Sequence, residues 1–151
     1  MAQNILDTLQ TGAVFADLAP LGLIAFSGED TTTYLQGQLT NDVRKLAADA
    51  AQYSGFCSPK GRLLASFLLW NQDGATYMQL AGDLQETIQK RLSMFILRSK
   101  VKARDARPEV IRIGIAGKHA AHLIESTLGA LPSADMSVVH TPAGSVIRLT
   151  A

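Results

Sequence analysis

Apolar and polar residues along this chain recur with either the helical or the strand period. The changes from one period to the other predict its secondary-structure elements. A turn at residues 20–22 precedes a continuous apolar run at 23–26, which is typical of a buried strand. Asp30 and three threonines then open a predicted helix. Its predicted apolar face follows helical spacing and contains Tyr34 or Leu35, Leu39 and Val43.

The segment between residues 50 and 81 is rich in β-branched, aromatic and apolar residues and predicts two or three strands. Residues 58–61 have the residue order of a type I turn, and 71–74 contain the Asp-Gly pair of a tight hairpin. Neighbouring strands are therefore expected to be antiparallel. A helix is predicted over 83–99, with Asp83 and Glu86 as a capping-box pair, followed by a strand at 101–104.

The resulting order is strand, helix, strand, strand, helix, strand, which predicts an α+β fold with a ferredoxin-like βαββαβ lobe over residues 17–106. Arg107-Pro108 marks a predicted boundary. Residues 107–151 predict a strand at 110–115, a helix at 118–128 and strands at 138–140 and 145–149. These elements are too few to cover a sheet, so we expect a partial, truncated second α+β lobe.

Composition narrows the function classes. Of 151 residues, 47% are hydrophobic and 18% charged, which is typical of a folded globular chain. A net charge of +1 provides no overall field for nucleic acid or an acidic membrane, so DNA, membrane and direct RNA binding are not expected, although a local basic patch is compatible with it.

Cysteine and histidine usage restricts the compartment and the metal chemistry. Cys57 is the only cysteine, which excludes an intramolecular disulfide and is compatible with a reducing compartment. Residues 1–17 have no basic, apolar signal pattern, so a cytoplasmic protein is expected. His119 and His122 share a predicted helix but lack further ligands nearby in the sequence, and no metal site is predicted.

Two polar motifs, residues 36–42 and 57–62, are interpreted as two rims of one small-molecule pocket. Asn41 either faces this pocket or terminates a helix or turn. Lys60 and Arg62 either solvate a hairpin turn or attract the carboxylates of a ligand or an RNA phosphate. The sequence leaves these alternatives open.

With Tyr53-Ser54 between them, the segments 34–43 and 57–64 resemble the N-terminal part of the YgfZ-type folate-binding proteins, relatives of the glycine-cleavage T-protein. Two spaced motifs agree in order and separation, and the match covers roughly residues 17–70. The resemblance implies an aminomethyltransferase-type fold of three domains around a hole that holds tetrahydrofolate. It also implies a role in iron-sulfur cluster assembly or repair and in tRNA modification.

The resemblance implies folate contacts at six positions and a basic ligand rim at two. The implied folate contacts are Leu21, Asn41, Tyr53, Ser66, Leu68 and Trp70, and the implied rim residues are Lys60 and Arg62. Ala65 and Ser66 stand where the aminomethyltransferases carry acidic residues, and a neutral hydroxyl stabilises an iminium poorly. No catalytic residue is therefore predicted. Cys57 precedes Ser-Pro-Lys-Gly, so it does not correspond to the functional cysteine of the family's Lys-Gly-Cys motif.

The residues and the resemblance together indicate three functions. The preferred one is a tetrahydrofolate-binding accessory protein that supports iron-sulfur proteins and is not an enzyme by itself. The second is a folate-dependent one-carbon (aminomethyl) transferase, which turnover of an aminomethyl donor would identify. The third is a non-enzymatic module that binds a protein or tRNA through Lys60 and Arg62, which steep salt dependence without folate binding would identify.

Overall fold

The computed structural model describes residues 2–150, whose helices and strands alternate along the chain. The α-helices are α1 (Ala2–Thr11), α2 (Thr31–Gln36), α3 (Gln85–Met94) and α4 (Ala120–Leu128). The strands are β1 (Val14–Asp17), β2 (Gly22–Ser27), β3 (Ala51–Cys57), β4 (Leu63–Gln72), β5 (Ala75–Leu80), β6 (Lys102–Asp105), β7 (Ile113–Ala116), β8 (Val138–Thr141) and β9 (Gly144–Ile147). Short 3-10 helices lie at Val43–Lys45, Gly82–Leu84 and Arg107–Glu109.

One compact unit, Pro20–Val110, contains a five-stranded sheet with the order β3-β4-β5-β2-β6. Every neighbouring pair in this sheet is antiparallel. The predicted α+β class is confirmed. The unit has one strand more than the ferredoxin-like βαββαβ order, because the segment between residues 50 and 81 forms three strands.

The core of this unit lies between one face of the sheet and helices α2 and α3. Strand residues at alternate positions, such as Ile24, Leu69 and Met78, are completely buried there. Leu35 from α2 and Leu92 from α3 pack into the same cluster. Each such side chain contributes about 1.5–3 kcal/mol of transfer free energy. We call this covered side of the sheet the inner face.

The helix predicted from Asp30 through Val43 ends at Gln36 in the structure. Leu39 instead forms a β-bridge with Phe56, and Val43 lies in a 3-10 helix. Beyond Leu39 the backbone forms hydrogen bonds with β3 instead of continuing the helix, as Thr40 N–H does with Gly55 O. Asp30 does not cap α2 with its side chain, because its Oδ2 accepts a hydrogen bond from the Lys100 backbone N–H at 2.7 Å.

The helix predicted over 83–99 is also shorter, and its predicted capping box is not formed. Gly82–Leu84 is a 3-10 helix, and α3 has no side-chain cap hydrogen bond at its N-terminus. After Met94 the chain leaves helical geometry, with Leu97 at φ +44°. A left-handed backbone at a non-glycine residue cannot continue a right-handed helix.

Residues 2–19 and 111–150 belong to the second compact unit. It contains α1, the antiparallel β1–β7 pair, α4 and the β8–β9 hairpin. Elements α4, β7, β8 and β9 match predicted elements, whereas α1 and β1 were not predicted. The unit includes N-terminal as well as C-terminal residues, and the predicted lobe borders at 17, 106 and 107 stay predictions. Within residues 2–150, no helix is long and apolar enough to cross a membrane.

Candidate functional site

The sheet face opposite the inner face carries a row of side chains across four strands. Tyr53 pairs with Leu68, Leu68 with Gln79, and Gln79 with Leu23. Directly opposed residues of antiparallel strands point to the same side, and neighbours along a strand point to opposite sides. Because Leu69 belongs to the inner core, Tyr53 and Leu68 lie on the other side, which we call the outer face.

A second row lies two residues further along the strands. Trp70 pairs with Tyr77, Tyr77 with Ala25, and Ala25 with Arg104. The Trp70 and Tyr77 rings are stacked, with centroids 5.5 Å apart and planes inclined by 11°. This cross-strand aromatic pair forms a rigid apolar floor on the outer face.

Arg104 closes the second row beside Tyr77. Its Nε donates to Glu109 Oε1 at 2.8 Å, and a terminal guanidinium nitrogen donates to Glu109 Oε2 at 2.9 Å. This bidentate bond raises the pKa of Arg104, to which a hydrogen bond with Tyr77 adds. The same bond lowers the pKa of the Glu109 carboxyl. The pair is therefore held in its charged form next to the aromatic floor.

Four of the six predicted folate contacts share the outer face. Ser66, paired with Gly55, lies two residues from Leu68 toward the β3–β4 hairpin tip. Tyr53 is 52% exposed and Ser66 is also exposed, whereas Leu68 and Trp70 keep only 6% and 7% of their surface. Tyr53 and Ser66 are thus accessible to a ligand, whereas Leu68 and Trp70 are buried. Leu21 is half-buried just before β2, two residues from Leu23.

Asn41 lies at the edge of the sheet rather than in these two rows, because residues 39–42 run along the side of β3 that does not pair with β4. Thr40 donates its backbone N–H to Gly55 O at 3.0 Å, and Gly55 N–H donates to Thr40 Oγ1 at 2.9 Å. Asn41 Nδ2 donates to Tyr53 O at 2.6 Å. The Asn41 amide thereby fixes the backbone of Tyr53, and its exposed Oδ1 accepts no hydrogen bond from residues 2–150.

Lys60 and Arg62 lie at the tip of the β3–β4 hairpin. Gly61 N–H donates to Ser58 O at 2.8 Å, and Gly61 has φ +76°, so the predicted turn at 58–61 is present. Both cationic side chains are exposed and form no ion pair with residues 2–150. At about 3.3 Å per residue, Arg62 lies roughly 13 Å along β4 from Ser66.

Metal ligands are not brought together in the part of the chain that the structure describes. Within residues 2–150, no three or more His, Cys, Asp or Glu side chains are arranged to hold a metal ion. Cys57, at the end of β3, is a half-buried free thiol. Neither observation adds a catalytic group to the outer face.

Comparison with protein families identifies the chain. The model of the GCVT N-terminal domain matches residues 2–149. This chain belongs to the GCVT N-terminal domain family. The match includes both compact units of the structure.

Curated relatives of this GCVT N-terminal domain carry the name tRNA-modifying protein YgfZ. The protein from Edwardsiella ictaluri is 36% identical over 115 residues, which are 74% of this chain and 34% of the relative. The protein from Colwellia psychrerythraea is 30% identical over 135 residues, or 89% of this chain and 41% of the relative. The resemblance predicted from the two motifs is confirmed. The chain spans about two fifths of the length of these relatives.

A solved structure supports the fold of the GCVT N-terminal domain. The crystal structure of glycine cleavage system aminomethyltransferase T from Bartonella henselae matches with a TM-score of 0.76. The match covers 86% of this chain and 36% of that protein at 16% sequence identity. At this identity the likeness concerns the fold and not the chemistry.

Two residues of the GCVT outer face, Tyr77 and Arg104, were not anticipated from the sequence. A usable signal for Tyr77 was present. Asp73 and Gly74 both have positive φ and form a two-residue hairpin loop, which opposes Gln72 to Ala75 and hence Trp70 to Tyr77. Arg104 had no such local signal, because β6 reaches β2 from a distant part of the chain.

Proposed function

We propose that this GCVT N-terminal domain binds a reduced folate, such as tetrahydrofolate, on its outer face. The observation that carries the proposal is the exposure of Tyr53 and Ser66 above a buried floor that contains Leu68 and the Trp70–Tyr77 stack. A planar pterin requires apolar or aromatic walls and a few directed polar groups. Tyr53 supplies the accessible ring, and Ser66 supplies a hydroxyl that both donates and accepts.

The basic tip of the β3–β4 hairpin is complementary in charge to the end of the folate that is remote from the pterin. A folate carries its glutamyl carboxylates at the end remote from the pterin. Lys60 and Arg62 have no carboxylate partner within residues 2–150, and Arg62 lies roughly 13 Å from Ser66 along the strand direction. Charge-assisted hydrogen bonds to these cations orient the ligand along the strand direction. Leu21 borders the row near Leu23 and completes the proposed wall.

The proposed role is binding rather than turnover. Ser66 is neutral, and aminomethyl transfer develops positive charge that a hydroxyl stabilises poorly. We therefore favour an accessory protein over an aminomethyltransferase. The YgfZ name of the relatives supports a role in tRNA modification, and we extend this to support of iron-sulfur proteins in the cytoplasm. The lone free thiol of Cys57 is consistent with a reducing compartment.

Calorimetric titration of the natural full-length protein with folinic acid tests the folate site. Tyr53→Ala removes the exposed ring and is expected to weaken binding about fivefold to tenfold, since an aromatic stacking contact contributes about 1–1.5 kcal/mol. Phe15→Ala removes another exposed aromatic ring, in a different unit, and is expected to leave the affinity unchanged.

Two results would contradict the folate proposal. The first is the absence of heat with the native protein at millimolar folinic acid. The second is an equal loss of affinity in the Tyr53 and Phe15 variants, which would place the effect on general stability rather than on the outer face.

A further inference from the structure

A strongly basic segment follows the middle of α3. Residues 90–102 contain five Lys or Arg and no Asp or Glu, whereas the whole chain has a net charge of only +1. The five cations are Lys90, Arg91, Arg98, Lys100 and Lys102. Charge is therefore concentrated locally in a chain that is nearly neutral overall.

Three of these cations have no ionic partner among the described residues. Lys90, Arg91 and Arg98 are exposed and form no ion pair with residues 2–150. Lys100 pairs with Glu29. Ala103 packs against the core, so Lys102 points to the opposite side of β6. The available charge lies in the second half of α3 and in the turn that follows.

Exposed apolar side chains lie in and next to that turn. Ser99 N–H donates to Ile96 O at 2.8 Å and closes a turn with Leu97 and Arg98 at its centre. Ile96 packs against the core, whereas Leu97 is 86% exposed and has φ +44°. Phe95 is half exposed beside it. A left-handed non-glycine residue costs about 1–2 kcal/mol, so the neighbouring contacts hold this turn in an unfavourable conformation.

Neither the helix macrodipole nor a membrane surface accounts for the whole of this arrangement. Cations near a helix C-terminus interact favourably with the helix macrodipole. This interaction explains the position of Arg91 but not that of Arg98, which lies beyond the helix. A membrane-surface helix requires an apolar face along its length. The exposed positions of α3 are polar at Glu86, Thr87 and Lys90, and become apolar only at its last residue. Cations around an exposed aromatic ring are instead typical of surfaces that bind single-stranded nucleic acid.

We propose that Lys90, Arg91, Phe95, Leu97 and Arg98, the α3-turn surface, bind a single-stranded or loop region of RNA. Phosphates contact the three cations, and one base stacks on Phe95. The choice of RNA rests on the tRNA-modification part of the proposed function. The surface is distinct from the outer face, because α3 covers the inner face of the sheet.

Fluorescence anisotropy with a labelled tRNA transcript and the natural full-length protein tests this surface at roughly 50 to 200 mM salt. Three phosphate contacts give a log–log salt slope near −2, and Arg91→Gln with Arg98→Gln is expected to reduce it to about −1 with roughly tenfold weaker binding. Phe95→Ala is expected to weaken binding about fivefold at an unchanged slope, since stacking does not release counterions.

A charge-matched control is provided by Lys45→Gln with Lys118→Gln, two exposed lysines elsewhere in the chain. This pair is expected to change the affinity less than twofold. An equal loss in both double variants would overturn the proposal, because it would indicate attraction by charge alone. Absence of RNA binding by the native protein would overturn it as well.

Two parallel measurements separate this surface from the folate site and from a membrane. Folinic acid titration of the Arg91/Arg98 variant is expected to match the native protein. Folate binding without RNA binding in the native protein would reject the α3-turn surface alone, whereas RNA binding without folate binding would reject the outer face alone. Binding to phosphatidylserine vesicles that requires the same arginines, with no tRNA binding, would identify the surface as a membrane contact and reject the RNA proposal.

Discussion

Trp70 owes its position to strand pairing. The hairpin register opposes it to Tyr77, its ring stacks on that partner, and Nε1 donates to Gln72 Oε1 at 3.4 Å. With 7% of its surface exposed, Trp70 is a supporting residue of the outer face. In the folate proposal the stacking role therefore falls to Tyr53, although the resemblance implies folate contacts for both residues.

Tyr34 is a buried tyrosine with a structural function. Its hydroxyl donates to the carbonyl oxygen of Leu92 and thereby joins α2 to the C-terminal half of α3. Burial raises the pKa of Tyr34 from 10.0 to about 12, because the phenolate is poorly solvated there. The neutral form therefore stabilises the folded state.

Tyr34→Phe is expected to lower the free energy of unfolding by about 1–2 kcal/mol at neutral pH, since the Leu92 carbonyl loses its buried partner. The pKa is raised in the folded state, so the native contribution is complete below pH 10.0 and is lost as the pH rises toward 12. Urea titrations between pH 7 and 12 measure both effects. Tyr53→Phe, an exposed control, should unfold like the native protein; identical alkaline profiles for the native protein and Tyr34→Phe would refute the assignment.

At the scale of elements, the polar motif at 36–42 is mainly a cover for the edge of β3. Gln36 Oε1 accepts from Val43 N–H at 2.8 Å, and Gln52 Nε2 donates to Asp42 O at 3.2 Å. Together with the Thr40 and Asn41 bonds to β3, these contacts attach the motif to the sheet. The motif that was interpreted as a ligand rim therefore mainly forms hydrogen bonds within its own unit, to the edge of β3.

Thr40→Val is expected to destabilise the Pro20–Val110 unit by about 1–3 kcal/mol, because the buried Gly55 N–H loses its acceptor. Hydrogen exchange at the Gly55 amide should accelerate in proportion to this loss of stability. Thr32→Val makes the same chemical change at an exposed helix position and should cost less than about 0.5 kcal/mol. Unchanged protection of Gly55 in the Thr40 variant would show that this bond does not hold the edge.

The sequence predicted local pairings well and element ends poorly. The β4–β5 register follows from the two-residue loop at Asp73-Gly74, which leaves the strands little freedom. Helix α2 ended early because Leu39 pairs with Phe56, a partner invisible to helical spacing. The apolar spacing of Ile5, Leu6 and Leu9 fits helix α1, which was not among the predicted elements. Asn41 likewise contacts a residue of another strand, Tyr53, which helical spacing does not reveal.

For the molecule as a whole, several ion pairs in the Pro20–Val110 unit are expected to contribute to its response to acid. The Arg107 side chain holds the pKa of Asp105 far below its ordinary value of 3.8, and Arg44 lowers that of Asp42. Arg104 does the same for Glu109. A depressed folded-state pKa contributes stability above the unfolded value, which is lost as the pH falls.

Asp105→Asn is expected to flatten the decline in stability between about pH 4 and pH 2, while changing it by less than about 1 kcal/mol at pH 7, because the pair is largely exposed. Fluorescence of Trp70, the only tryptophan, reports the unfolding of this unit in urea. Asp49→Asn, an exposed carboxylate without an ion pair among residues 2–150, should keep the native acid profile. A native profile in the Asp105 variant would show that the Arg107 pair does not set the acid response.

The covered edge of β3 has a consequence for how copies of the molecule associate. An open strand edge is a template for pairing with another chain, and in this unit the backbone on that side is already engaged by residues 39–42. Detachment of this segment exposes hydrogen-bonding groups next to apolar strands. Substitutions that detach the 36–42 motif are therefore expected to cause aggregation at high protein concentration first. A screen that measures only ligand affinity would mistake this loss of folded protein for a loss of binding.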